Sequence, residues 1–305
     1  MYFAINSPDA ALPELIMQDL EVLQSEPANT PLHLFALVDG AFDEQLLSSR
    51  EWRRVPRKSL YDNTVLAEFG AAAPQLLTAP AGATEQRAWL EQLFAACKGK
   101  PMLSIIASTL GSDALQRHLR PYLMAITSDS LEWPLRWGDA RVLPALLGTL
   151  AESQRDHLLS PLYRWWSTQR DGTLVSWRGT ALHEPVPPGF DKLPMSEGEF
   201  VGLVDAAEAD AVLSNIEDNQ PDLLRAHSPA QCHARVARHL ELASANGIDA
   251  AGAREHFSVL ALMLADDFAG HPAMASLLQR TRQGADYHAE IAGLPGDFWE
   301  AATVS

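Results

Sequence analysis

The sequence predicts an α/β N-terminal lobe, with a mixed sheet flanked by helices, followed by an all-α helical C-terminal lobe. Three observations predict this fold class. Short apolar runs alternate with segments of helical periodicity in the first part of the chain. A proline-rich stretch then interrupts regular structure, and only helical patterns follow it. We therefore expect an α/β domain over residues 1–184, a proline-rich linker over 185–195 and a helical lobe over 196–305.

The first lobe is expected to contain buried strands. The apolar run Leu32–Val38 ends at the turn pair Asp39-Gly40, and the run Met102–Ala107 repeats this pattern. Between them, apolar residues recur at a spacing that predicts a helix covering the sheet, and these are Trp89, Leu90, Leu93, Phe94 and Cys97. We expect the Asp39 carboxylate to cap a short helix over Phe42–Ser48, with catalysis by this acid as the alternative.

Two further helical patterns of the first lobe contain an internal proline. The pattern over residues 115–126 is expected to kink or divide at Pro121, which lacks the backbone amide. The pattern over Gln154–Trp166 carries Pro161 in the same way. After it, Thr173–Trp177 is expected to return to the sheet as an edge strand.

Helix-start signals mark the second lobe. The segment His183–Pro194 contains four prolines and a glycine, so neither a helix nor a central strand can run through it. Ser196 with Glu199 then makes a capping box, and Ser228 with Gln231 makes another. A small bundle of helices is the expected result.

Composition and charge exclude several classes of protein. The 305-residue chain carries a net charge of −16, and 17 acidic against 6 basic residues lie from Ser196 onward. Because such a chain cannot neutralise phosphates, we expect no nucleic-acid partner, whereas the acidic C-terminal part is suited to a basic partner. Cys97 and Cys232 lie far apart, which fits a reducing cytoplasm. No apolar stretch approaches the length of a membrane span, so we expect a cytoplasmic protein with no membrane partner.

The sequence contains no motif that predicts a cofactor. It has no glycine-rich phosphate loop, no His-Glu-x-x-His pair and no Gly-x-Ser-x-Gly turn. His233 and His239 are six residues apart, which places them on different faces of a helix. We therefore expect no cofactor, no metal and no catalytic residue.

The segment Trp133–Leu147 is the most informative part of the chain, because charged residues lie between apolar ones there. Arg136, Asp139 and Arg141 need partners or solvent in such surroundings, and guanidinium groups match carboxylates in geometry. Three interpretations remain open: an ion-pair cluster that fixes the chain, a docking handle for a partner, and a catalytic group.

This segment resembles the signature of the type VI secretion adaptor and effector-chaperone family, with an arginine, a spacer, an aspartate, one small residue and a second arginine before a Val-Leu run. Other blocks resemble that family in the same order, namely Leu34–Ala41, Ser59–Tyr61, Ala73–Leu77, Gln154–Trp166 and Ala243–Pro272. The family usually has proline where this chain has Ala140. The resemblance covers most of the chain and implies a non-catalytic protein that binds a cognate effector toxin, stabilises it and delivers it to the VgrG spike protein.

One tryptophan is expected in a basic surface run, and four others are expected in the core. Trp52 lies in the basic run Arg50–Lys58, which is interpreted first as a solvated turn. Contact with a partner is the competing interpretation, because arginine and tryptophan are enriched at protein interfaces. The candidate partner-binding or signature residues are therefore Asp39, Trp52, Arg53, Arg54, Arg136, Asp139 and Arg141. Four other tryptophans are expected in the core of the first lobe, namely Trp133, Trp137, Trp165 and Trp166.

Two alternatives to the adaptor remain open. An α/β enzyme acting on a small anionic substrate would use Asp39 together with the Arg136–Arg141 segment. A toxin-neutralising immunity protein would also be acidic and would bind a toxin. A concave pocket at these residues would favour the enzyme, and side chains that bond to one another would count against it.

Overall fold

The chain forms two compact units. A computed structural model describes residues 2–25 and 31–302. Ser7–Val204 belong to one unit, and the other contains the residues up to Asn6 and those from Asp205 onward. The predicted fold class is confirmed, since the N-terminal region is α/β with a sheet flanked by helices and the C-terminal region is mostly helical. The limits expected for independent domains stay a prediction, because compactness is not a test of separate folding.

The secondary structure of the described residues alternates early and becomes helical late. The strands are β1 His33–Asp39, β2 Arg57–Ser59, β3 Pro74–Thr78, β4 Leu103–Ser108, β5 Met124–Ile126, β6 Glu132–Pro134, β7 Leu162–Thr168, β8 Leu174–Arg178 and β9 Leu193–Pro194. The α-helices are α1 Leu12–Ser25, α2 Ala83–Ala96, α3 Ser112–Leu119, α4 Val142–Thr149, α5 Glu152–Leu159, α6 Glu197–Asn219, α7 Pro229–Ala245, α8 Ala251–Met263, α9 Pro272–Arg282, α10 Tyr287–Ala292 and α11 Gly296–Ala302.

A six-stranded sheet in the order β2-β3-β1-β4-β7-β8 organises the larger unit. Its neighbouring strands pair antiparallel, and a separate three-stranded sheet, β6-β5-β9, contains one parallel pair. Strand β1 is buried on both faces, because Phe35 and Leu37 pack with residues of α3–α5 while Ala36 and Val38 pack with residues of α1 and α2. The strands predicted near 32–38 and 102–107 are confirmed, as is the edge position of β8.

The helix predicted over Gln154–Trp166 is wrong in its second half. Helix α5 ends at Leu159, and the chain then enters β7, where Trp165 pairs with Ile106 of β4. Pro161 removes a helical donor, and pairing with a central strand supplies the backbone bonds that a longer helix would have made. Similarly, the expected division at Pro121 is confirmed, but the chain beyond it forms β5 instead of more helix.

The proline-rich stretch lies within the larger unit and is fixed there at several points. The His157 ring donates from Nε2 to the Val186 carbonyl at 2.6 Å, since a carbonyl can only accept. The Phe190 ring packs edge-on against Tyr122 with 5.6 Å between centroids. Strand β9 then pairs with β5, so backbone bonds, a side-chain bond and aromatic packing all fix this segment.

The helical unit follows the cap signals of its sequence. Ser228 Oγ accepts from the Gln231 amide, and the Gln231 side chain accepts from the Ser228 amide, so this capping box is confirmed. Ser196 and Glu199 bond in the same reciprocal way at the start of α6. Among the described helices, none combines the length and the apolar character that a bilayer span requires.

Candidate functional site

Asp39 lies at the end of β1 with its side chain inside the protein. It is 1% exposed. Its Oδ1 accepts from the Ala41 amide at 3.0 Å and caps a short 3₁₀ turn, Gly40–Phe42, while its Oδ2 accepts from Arg136 Nη2 at 3.1 Å. The capping role is confirmed. The single helix expected over 42–48 is wrong, because Asp43 accepts amides of its own and starts a second turn, Leu46–Ser48.

Asp139 forms an ion pair with Arg141, which lies two residues further along the chain. Its Oδ1 accepts from the Arg141 amide at 2.9 Å, and its Oδ2 accepts from Arg141 Nη2 at 2.7 Å. The Asp139 carbonyl also accepts from the amides of Val142 and Leu143, which begin α4. Asp139 is 3% exposed, so this aspartate fixes a turn, an ion pair and a helix start together.

One aromatic ring joins the two ion pairs. The guanidinium carbon of Arg136 lies 5.3 Å from the centroid of the Phe42 ring, and that of Arg141 lies 5.7 Å from it. Both distances are within the range of cation–π attraction. Asp39, Phe42, Arg136, Asp139 and Arg141 are called the signature cluster below. Phe42 was missed in the sequence, because no local spacing pairs it with arginines more than ninety residues away.

Two glycines allow the backbone to close around the signature cluster. A Cβ atom on Gly40 would lie 2.0 Å from the Ala71 carbonyl oxygen, so only glycine fits there without movement. A Cβ atom on Gly138 would lie 3.3 Å from Cβ of Asp39 and from Pro74. The neighbouring Trp137 donates from its indole to the Tyr122 carbonyl at 2.6 Å and is fully buried. The residues next to the signature cluster, Gly40, Trp137 and Gly138, are therefore closely packed.

The electrostatics of the cluster are nearly balanced, with two carboxylates and two guanidiniums. Burial raises the pKa of Asp39 above its ordinary value, while Arg136 and the Ala41 amide act in the opposite direction. The charge of Asp139 adds to the rise. The pKa of Tyr61 is raised by burial and by the charge of Asp39. Only the Arg136 side chain remains substantially open, at 47% exposed.

Ala140 occupies the position where the resembling family usually has proline. Its amide donates to the Pro101 carbonyl at 2.8 Å, a bond that proline could not make. This bond ties the turn between Asp139 and Arg141 to the segment that leads into β4. The departure from the family pattern therefore has a structural counterpart in this chain.

Trp52 of the basic run lies in the hydrophobic core. The Trp52 side chain is 2% exposed and packs in the core beside Leu47, so it is part of the interior and cannot meet a partner. Arg53 and Arg54 are exposed. Arg57 is also exposed, and its Nη1 donates to the carbonyls of Leu47 and Trp52. Partner binding by Arg53 and Arg54 stays a prediction.

Three of the four tryptophans expected in the core are there, since Trp137, Trp165 and Trp166 are at most 1% exposed. The expectation for Trp133 is wrong. It is 39% exposed on the edge strand β6, and its ring lies 5.0 Å from that of Phe200. All three residues of this short strand are exposed, so β6 contributes little to the core.

The described residues include two buried thiols and no group of metal ligands. Among the residues that the structure describes, no three His, Cys, Asp or Glu side chains are grouped to hold a metal ion. Cys97 and Cys232 are buried free thiols, and burial raises the pKa of Cys97 to about 12. A thiol with such a pKa is a poor nucleophile at neutral pH.

A family model described as a domain of unknown function (DUF4123) matches residues 34–157, which is less than half of the chain. This family is associated with type VI secretion effectors. All members of the signature cluster lie inside the matched residues, whereas the helical unit from Asp205 onward lies outside them. No curated protein and no solved structure matches the chain.

Proposed function

We propose that this protein is a non-catalytic cytoplasmic adaptor that binds one type VI secretion effector, stabilises it and delivers it to the VgrG spike. The proposal is supported chiefly by the match to residues 34–157, a family associated with these effectors. The resemblance of blocks outside that range to the adaptor family adds to it. In this proposal the larger unit serves the shared spike, and the acidic helical unit recognises the individual effector.

The bonding of the signature cluster favours architecture over catalysis. All four carboxylate oxygens of Asp39 and Asp139 accept hydrogen bonds from the chain itself. A general base needs an oxygen that can reach a substrate proton, and a substrate anion would have to compete with these carboxylates for the guanidinium groups. The cluster instead fixes the end of β1 against the start of α4, with Arg136 presented at the surface.

A genetic and biochemical experiment tests the proposed function. The full-length chain would be co-expressed with the effector encoded beside it and with VgrG, and complexes would be measured by size-exclusion chromatography. We expect a soluble complex with the effector, and loss of both effector stability and effector secretion in a strain that lacks the adaptor.

The same strain separates the alternatives. An immunity protein would be required for survival of the toxin but not for its export. An enzyme would turn over a small anionic substrate, and the turnover would fall in Asp139→Asn. Normal secretion of a stable effector without this protein would contradict the adaptor role.

A further inference from the structure

A groove lies between α6 and α7 in the helical unit, with a volume of about 610 Å³. This volume is in the range of clefts that bind ligands or side chains of a partner. Its lining includes the buried Ala209 and Leu240, the half-buried Ala237 and the exposed Ala206, and we call the first three its floor. Its rim carries Asp205, Glu208 and Glu241, and we call it the acidic groove.

The acidic groove is elongated along α7. Its α7 residues recur at helical spacing on one face and are His233, Ala237, Leu240, Glu241 and Ser244. From His233 to Ser244 this face covers three turns, or about 16 Å. A trough of this length between two helices, with alanines on its floor, allows the close approach of a third helix.

Arg254 of α8 also lines the acidic groove and pairs with only one of its three acidic residues, Glu208. Its Nε donates to Glu208 at 2.6 Å, its Nη2 also bonds Glu208, and its Nη1 donates to Ser244 Oγ at 2.7 Å. These bonds tie α6, α7 and α8 together. Among the described residues, no side chain donates a hydrogen bond to the carboxylates of Asp205 or Glu241, and both residues are exposed.

Nearby carboxylates stabilise the charged form of Arg254. Its pKa is raised first by the bond to Glu208 and then by the charges of Glu208, Asp249 and Asp205. The C-terminal part as a whole carries 17 acidic against 6 basic residues from Ser196 onward. A partner that fits the groove must therefore be apolar on one side and positively charged at its flanks.

We propose that the acidic groove binds a basic amphipathic helix of the effector, an inference that rests on the proposed function. The apolar face of that helix packs on Ala206, Ala237 and Leu240, and its lysines or arginines pair with Asp205 and Glu241. Helix-in-groove recognition reads apolar anchors at i, i+3, i+4 and i+7, which the length of this trough accommodates.

The test uses the full-length protein and a designed peptide probe. The probe is an amphipathic helix of alanine, leucine and lysine, about 15 residues long, near the length at which isolated helices become stable. The control peptide has the same sequence with every lysine replaced by glutamate. We expect the lysine peptide to bind in isothermal titration calorimetry, to bind more weakly at high salt, and the glutamate peptide not to bind.

Substitutions in the acidic groove test whether the lysine peptide binds there. Asp205→Lys with Glu241→Lys is expected to weaken binding of the lysine peptide at least about tenfold, because both rim pairs become repulsive. Ala237→Trp is expected to block it by filling the floor without changing charge. The matched control, Asp297→Lys with Glu300→Lys on α11, changes the net charge equally and should leave binding unchanged, and circular dichroism would verify folding.

Several outcomes would overturn the inference. These are no binding of the lysine peptide, equal loss with the α11 control, and full binding to both groove variants. Failure of the proposed function is distinguishable, because it appears as no complex between the wild-type protein and its effector. A wild-type effector complex that survives both groove variants would instead reject the groove alone.

Discussion

The signature cluster and the acidic groove both combine carboxylates with arginine, but they use them differently. In the cluster, Asp39 and Asp139 are almost fully buried and bond to the chain through every carboxylate oxygen. In the groove, Glu208 is paired, while Asp205 and Glu241 face solvent. A carboxylate that is bonded internally contributes to the fold, whereas an open one is available to another molecule. Substitution of Asp39 or Asp139 should therefore change stability, whereas substitution of Asp205 or Glu241 should change binding and leave stability nearly unchanged.

The largest loss of stability is expected for Asp139→Ala. The change removes the ion pair with the Arg141 guanidinium, which is 16% exposed, and the side-chain bond to the Arg141 amide just before α4. Loss of one partner of a buried pair costs about 3 kcal/mol. Urea unfolding measures it, with Glu241→Ala as the control that should change little. Equal effects of the two substitutions would remove the distinction between the regions.

A second large effect is expected for Gly40→Ala beside the signature cluster. The new Cβ would clash with the Ala71 carbonyl oxygen, and backbone movement of this kind costs about 2 kcal/mol. Gly138→Ala is the matched comparison, because its closest contacts are 3.3 Å from side-chain atoms. We expect a smaller loss there, and thermal unfolding of both variants provides the measurement. A larger loss for Gly138→Ala would show that the tight point lies elsewhere.

The sequence predicts the parts of the fold that depend on local patterns. The strand before Asp39, its turn and the capping box at Ser228 are each specified by neighbouring residues, and the structure contains them. Local patterns also misled, because Leu158, Leu162 and Trp165 fit a helix while strand pairing placed the last two in β7. Pairing overrides periodicity wherever a central strand offers partners.

The cluster could be predicted only in part from the sequence. The Asp139–Arg141 pair is separated by one residue and could be anticipated, but the contact of Arg136 with Asp39 spans 97 positions and depends on the tertiary fold. The acidic groove gave only a compositional signal, the excess of acid after Ser196. Its floor of alanines is identified only when α6 and α7 are placed together.

An intermediate effect is expected where the groove contains its own internal pair. Glu208→Ala removes two bonds to Arg254, which is 14% exposed, but leaves its bond to Ser244. Hydrogen bonds to charged groups contribute about 1.5 kcal/mol or more, so the free energy of unfolding should fall by about that amount. Chemical unfolding measures the change. A loss as large as that of Asp139→Ala would mean that this pair is as tightly built as the signature cluster.

A smaller, pH-dependent effect is expected for Asp39→Asn. Because burial raises the pKa of Asp39 in the folded state above its ordinary 3.8, the folded protein holds this proton more tightly than the unfolded chain. The stabilisation that the protonated Asp39 carboxyl contributes is fully present below its ordinary pKa. It is lost as the pH rises through the pKa of Asp39 in the folded protein. The stability of the wild type relative to Asp39→Asn should therefore decrease as pH rises. A urea series from about pH 3.5 to 7 measures it, and an increase with pH would show that the bond to Arg136 outweighs burial.

The smallest effect on stability is expected for the double substitution Asp205→Lys with Glu241→Lys. Both carboxylates are exposed and accept no hydrogen bond from a described side chain, so their removal breaks no hydrogen bond and removes only the attraction of Asp205 for Arg254. Exposed substitutions of this kind usually change stability by less than about 0.5 kcal/mol, and the gain of positive charge in an acidic segment opposes any loss. Differential scanning calorimetry at low and at high salt gives the comparison, with the α11 pair as reference. A loss above about 1 kcal/mol would mean that these carboxylates support the fold as Asp39 and Asp139 do, and the open rim would then not be free to bind a partner.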